Sequence, residues 1–283
     1  MKSFKGILFI LVSLALTLGI ARAEDKKDTG ESKQKPEAIF AQSCKKPDEV
    51  KGFHLKITVA QEVGKDKESM VSTGKQQNPD SIYLESSTGS ETYGKGKFIT
   101  VRSSPKSKWQ SFIPPGVKDQ EIIPLKQIMK ACGHSKEAKF IENAELQGIK
   151  CQGIEMSLTD EGISKIIPSI ALVKNTKYHD AFYRLWYDPK TLLPYKVIFT
   201  IKITVIQEDP FEEEESKQKK EVTSIQTITI DIFDYDKNIE IKFPDEVKKI
   251  FEAKESAKPG EEKPIEITPP LEEKKSPEKN QGK

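Results

Sequence analysis

Residues 182–205 (FYRLWYDPKTLLPYKVIFTIKITV) constrain the fold of this chain more than any other stretch. Tyr195, Val197, Phe199, Ile201, Ile203 and Val205 alternate with mostly polar neighbours. Successive side chains of a strand point to opposite faces, so this period of two builds a strand with one apolar side. Ahead of it, Asp188-Pro189-Lys190-Thr191 carries turn chemistry. Proline presets φ at the second turn position, and the aspartate side chain bonds the backbone ahead of it. A long β-hairpin is expected here, its apolar side resting on a core or a ligand.

The same alternation recurs along the chain. In 53–59, Phe53, Leu55, Ile57 and Val59 share one face while His54, Lys56 and Thr58 take the other, a half-buried antiparallel strand with His54 toward solvent. Strands are expected at 69–75, 81–86, 97–103, 139–142 and 149–158. In 221–233, Ile228, Ile230 and Ile232 oppose Ile225, Thr227, Thr229 and Phe233, and Ile239, Ile241 and Phe243 form a last strand. Tyr93-Gly94-Lys95-Gly96-Lys97 reads as a hairpin turn. A phosphate loop would need a strand before it and a helix after it.

The period changes in three places. Residues 38–44 read as a short helix. In 119–132, Leu125, Ile128, Met129 and Cys132 fall on one helical stripe, Pro124 sits where a first turn tolerates proline, and Gly133 ends the run. Thr159 offers an N-cap, with Asp160 and Glu161 in the first turn and Ile163, Ile166, Ile167 and Ile170 on one stripe, which Pro168 kinks or ends.

Lys2 and Lys5 precede an apolar run that finishes Ala21-Arg22-Ala23, the pattern of a secretory signal peptide (1–23) cleaved after Ala23. The run is shorter than the ~20 residues of a membrane-spanning helix. Residues 24–36 and the Pro/Glu/Lys-rich tail 254–283 hold too little apolar surface to offset the entropy of ordering. One folded unit is left, at 37–253, expected to be soluble and exported. Of three cysteines, Cys132 and Cys151 are the preferred disulfide, tying a helix end to the next strand; the other pairings stay open.

Composition narrows the function. With 46 basic and 44 acidic residues and only Arg22, Arg102 and Arg184 as arginines, there is no basic excess for nucleic acid and little for bidentate phosphate recognition. The acidic run in 209–220 lacks calcium-ligand spacing, and His54, His134 and His179 have no neighbours at metal-ligand spacing. Cys132 and His134, two apart, do not face each other on a helix, and no G-x-S-x-G is present. No metal, cofactor or enzymatic activity is expected.

Residues 78–85 (NPDSIYLE), 94–109 (GKGKFITVRSSPKSKW), 146–156 (LQGIKCQGIEM), 185–196 (LWYDPKTLLPYK) and 231–244 (DIFDYDKNIEIKFP) follow one another in a telling order. That order resembles the bacterial LolA/LolB-like lipoprotein-carrier superfamily and its outer-membrane lipoprotein-sorting relatives. The most specific stretch is L-W-x-D-P-x-T-x-x-P-x-K. The resemblance implies an α+β fold: a strongly curved antiparallel β-sheet, a half-barrel, with a few helices as a lid over a hydrophobic cavity. It implies a soluble periplasmic carrier that binds lipid or lipoprotein acyl chains and moves them toward the outer membrane, with inner- or outer-membrane protein partners. The alternatives are an envelope sensor or protein-interaction module on the same fold, its strands enclosing a dry core. Such carriers rely on an arginine near the cavity mouth, and Arg102 and Arg184 both fall on expected strands.

Residues expected to contact acyl chains are Phe53, Leu55, Ile57 and Val59; Ile128 and Met129; Ile163, Ile166, Ile167 and Ile170; and Trp186, Val197, Phe199, Ile201 and Ile203.

Overall fold

The structure is a computed structural model and describes residues 35–112, 134–166, 176–208 and 219–256. Its centre is a sheet of eleven strands: β1 (Gly52–Val63), β2 (Asp66–Gln77), β3 (Ser81–Ser86), β4 (Glu91–Lys95), β5 (Phe98–Arg102), β6 (Gln110–Phe112), β7 (Ser135–Leu146), β8 (Ile149–Leu158), β9 (Thr176–Tyr187), β10 (Pro194–Glu208) and β11 (Lys219–Phe233). The spatial order is β6-β5-β4-β3-β2-β1-β11-β10-β9-β8-β7. Two antiparallel meanders thus meet where the first strand pairs with the last, Ile57 opposite Ile230. The sheet is open, with β6 at one edge and β7 at the other. It is the expected curved antiparallel sheet with few helices, since a twisted sheet this wide curls rather than staying flat.

Short turns set the register. Gly64 and Gly96 open two-residue turns with φ near 60°, where a II′ turn takes glycine, and Gln147-Gly148 joins β7 to β8 with both residues at positive φ. The expected turn at 93–97 is therefore only Gly96-Lys97. Tyr93, Gly94 and Lys95 lie in β4, a strand the sequence pattern did not separate. The β9–β10 connection uses the predicted chemistry: Asp188 Oδ1 accepts from the Lys190 amide at 3.0 Å, and Asp188 Oδ2 from the Thr191 hydroxyl at 2.9 Å.

Among the described residues, three helices accompany the sheet. In α1 (Pro36–Lys45), proline stands in the first turn, and Ile39, Phe40 and Cys44 are buried. A single 3-10 turn follows at Lys46–Glu49. α2 (Asp160–Ile166) starts as predicted, the Thr159 hydroxyl accepting from the Gly162 amide at 3.1 Å; its expected continuation to 170 lies outside the described residues, as does the expected helix at 119–132. α3 (Asp245–Ser256) was not read from the sequence, and it runs past the boundary expected at 253.

One expected strand is absent. Ile239, Ile241 and Phe243 belong to an irregular segment, not a strand. β11 already has β1 and β10 as neighbours, so the chain leaving it finds no ladder to join. Positive φ at Asp234, Asp236 and Asn238 turns it out of the sheet. It then crosses one face, where the Ile241 amide donates to Gln77 Oε1 at 2.8 Å, and continues into α3.

Candidate functional site

The register aligns apolar side chains from five neighbouring strands on one face. One row runs Ile57, Ile230, Val197, Leu185, Ile154, and the next Val59, Ile228, Phe199, Tyr183, Met156. Adjacent strands lie about 4.8 Å apart, so five of them present an apolar strip about 20 Å wide. Phe53, Leu55, Val197, Phe199, Ile201, Leu185 and Ile154 belong to one buried cluster.

α1 lies against part of this face, with the Phe40 ring 6.3 Å from that of Tyr183, and Ser43 Oγ donates to the Leu192 carbonyl at 2.7 Å. Ile163 of α2 joins the same cluster. Farther along the strands, Ile57, Val59, Ile203 and Ile228 are only half-buried, as are Leu84 and Ile99 toward β6. Among the described residues, the helices on this face thus cover its β7–β9 side and leave apolar rows beyond them partly open.

Of the residues expected to contact acyl chains, the structure brings together Phe53, Leu55, Ile57, Val59, Ile163, Val197, Phe199, Ile201 and Ile203. Ile128, Met129, Ile167 and Ile170 lie outside the described residues, and of Ile166 only the backbone is described, at the end of α2.

Trp186 is on the other face. A bulge at Tyr195 shifts the β9–β10 register: Tyr187 pairs with Pro194, but Trp186 pairs with Lys196 and Leu185 with Val197. One extra residue exchanges the faces of everything beyond it. The Trp186 indole instead donates to the Glu142 carbonyl at 3.1 Å, over Gly153. Ala181, Tyr183, Leu185 and Tyr187 take the apolar face, which periodicity alone does not reveal because Phe182 and Trp186 make the opposite parity equally aromatic.

The opposite face carries charge. Arg184 pairs with Glu155 at 2.7 Å, Lys139 with the same carboxylate at 3.0 Å, and Lys196 with Asp231 at 3.4 Å. Burial pushes the Glu155 carboxyl up, and hydrogen bonds from Arg184 and Lys139 more than reverse this, leaving it below the ordinary glutamate range. Arg102 stacks on Trp109, 4.5 Å from the ring centre, and bonds Glu91 at 2.6 Å. Both strand arginines therefore point away from the apolar face.

At the β3–β5 end of this opposite face, Tyr93, Phe98, Ile241, Val247 and Phe251 form a second core under α3. Beside it lies a cavity of about 540 Å³ whose walls include Lys75, Tyr83, Glu240 and Lys242. That mixed, charged lining does not suit an acyl chain, and the apolar rows on the other side of the sheet do.

Cys151 faces Ala144 across the β7–β8 pair and is a buried free thiol in this structure, not half of the expected bridge. Its expected partner Cys132 lies outside the described residues. Burial, helped by the nearby Asp188 carboxylate, pushes the thiol up to about 11. Among the described residues no cluster of His, Cys, Asp or Glu is placed to hold a metal ion, and no helix is long and apolar enough to cross a membrane.

No family model and no curated protein sequence matches this chain. Solved structures similar to it include the lipoprotein LppX of Mycobacterium tuberculosis, 8% identical over 73% of this chain and 97% of that one, with a TM-score of 0.47. A LolA superfamily protein from Nitrosomonas europaea is 12% identical over 75% of this chain and 96% of that one, with a TM-score of 0.29. The Pseudomonas aeruginosa MucA/MucB complex contains a chain 9% identical over 75% of this one and 59% of its own length, with a TM-score of 0.31.

Proposed function

We propose that this chain is a periplasmic carrier that holds lipid or lipoprotein acyl chains against the apolar face of its sheet and moves them toward the outer membrane. The observation that supports this reading is the continuous apolar strip on an open sheet, with Ile57, Val59, Ile203 and Ile228 half-buried beyond the described helices. Acyl chains bind such a surface by burial, at about 0.8 kcal/mol per methylene, without directional contacts. The charged opposite face supplies solubility. In this reading residues 1–23 direct export and are removed, and displacement of α1 and α2 from the apolar face releases the chain.

The test is native mass spectrometry with lipid extraction on protein recovered from the periplasm, paired with uptake of a fluorescent fatty acid. Co-purifying acyl lipid, reduced by Ile203→Asp and retained in Trp186→Ala, is the expected result. An apo mass with no uptake would refute the carrier reading.

One observation favours a protein-interaction module instead. β7 is an edge strand of twelve residues and carries Phe140, which is 52% exposed. An exposed strand edge with an apolar anchor is a template for adding a partner's strand. Loss of a co-purifying protein, rather than lipid, on Phe140→Asp would support that reading.

A further inference from the structure

The apolar strip does not stay apolar to its end. The row after Val59–Ile228–Phe199 reads Gln61, Gln226, Ile201, Ala181, and the one beyond it Val63, Ser224, Ile203, Tyr178. Gln61, Gln226 and Ser224 are therefore neighbours on the same face as the apolar rows, and they are only 8%, 6% and 6% exposed. A polar group buried without a partner costs about 1–3 kcal/mol, so such groups are ordinarily hydrogen-bonded. These are nearly unpaired. Gln61 Nε2 donates to Ser224 Oγ at a long 3.3 Å, the Gln226 amide has no hydrogen bond among the described residues, and none of their unpaired atoms is fully closed off from solvent, so a ligand on this face can reach them. Two glutamine amides and a serine hydroxyl offer five donor hydrogens, of which this one contact uses one.

We propose that Gln61, Gln226 and Ser224 form a hydrogen-bonding site for the ester or amide carbonyl that joins an acyl chain to its head. This rests on the acyl-carrier reading and gives it a direction. The hydrocarbon lies along the Ile57 and Val59 rows toward Leu55 and Leu185. The carbonyl stops at the amides, and the head emerges toward the Gly64-Lys65 turn, where Asp66 and Glu68 are exposed. A carbonyl oxygen matches the surplus of donors; a bare hydrocarbon would leave the amides buried and unsatisfied. An O-acyl glyceride and an N-acylated protein terminus share this carbonyl.

The experiment measures displacement of a fluorescent fatty acid by ligands of equal chain length: methyl palmitate, N-methylpalmitamide and hexadecyl methyl ether. Binding of the ester or amide about fivefold or more tighter than the ether is expected, one net hydrogen bond's worth. Preference for the ester points to a glyceride and preference for the amide to an N-acylated terminus. Gln61→Leu and Gln226→Leu should bind the ether at least as well as the original chain does and lose the preference. Equal binding of all three ligands by the unaltered chain overturns the inference while leaving acyl carriage intact, and needs no variant to fold. Preference retained in both variants also overturns it. Binding of none of the three overturns the acyl reading and this inference together.

Discussion

Replacing Phe40 by alanine tests how α1 is held over the apolar face. A ten-residue helix is marginal alone in water, so tertiary contacts must hold it. Those contacts are few: Ile39, Phe40 and Cys44 are buried, and Ser43 bonds the Leu192 carbonyl. Phe40 is wholly buried, its ring tilted 55° against Tyr183. Truncating a buried phenylalanine to alanine costs about 3–5 kcal/mol. If α1 belongs to the cooperative core, a domain of about 200 residues should lose roughly 6–20 °C in Tm, at 2–4 °C per kcal/mol. If α1 undocks by itself, the cost appears as local opening, and amide exchange in residues 36–45 should quicken about a hundredfold for each ~2.7 kcal/mol. Thermal unfolding and hydrogen exchange together read both. A variant within 2 °C of the original, with α1 amides equally protected, would refute the claim that Phe40 anchors this helix.

Three further outcomes are expected. Gly153→Ala places a Cβ 2.7 Å from both the Glu142 carbonyl oxygen and Ile141 Cγ1 and 3.0 Å from the Trp186 indole nitrogen, so β7 must shift. A loss of about 1–3 kcal/mol in urea unfolding with altered Trp186 emission is expected, and unchanged stability would count against the packing described. Because the folded Glu155 carboxyl lies below the ordinary value of 4.5, its contribution is complete above that pH and fades as pH falls through the lowered pKa; Glu155→Gln should flatten stability against pH in that window, and an unchanged slope there would contradict the assignment. With its thiol near 11, Cys151 should react with a thiol reagent at pH 8 only about as fast as the fold opens, and prompt labelling of native protein at this residue would show it exposed.

Much of the sheet was legible because its strands are amphipathic and its turns local. The alternations at Phe53–Leu55–Ile57 and Val197–Phe199–Ile201 place the same residues on the same face in the structure. Thr159 caps its helix as its position before Asp160 and Glu161 suggested. Three features were not legible, each for a non-local reason. The face of Trp186 depends on a one-residue bulge at Tyr195 that no periodicity announces. Whether Ile239 and Ile241 form a strand depends on an available edge, and β11 is central. In α3, Val247 and Phe251 sit four apart on one stripe, but charged neighbours dilute the pattern until the Tyr93 core on the sheet shows what it packs against.

The division of the sheet into two faces also explains why the amide row has its place. On the opposite face, ionic groups largely find partners within the chain: Arg184 and Lys139 share Glu155, Arg102 is held by Glu91, and Lys196 meets Asp231. On the apolar face, no ion pair is found among the described residues of these rows, and still Gln61, Gln226 and Ser224 are nearly buried there. Hydrophobic residues at these positions would extend the strip by another row at no desolvation cost, and Ile201 and Ile203 beside them show that the backbone accommodates isoleucine. Polar side chains on an apolar face that share only one long hydrogen bond make physical sense where something else supplies the missing acceptor. For the acyl carrier proposed above, this row is where the hydrocarbon ends and its carbonyl begins.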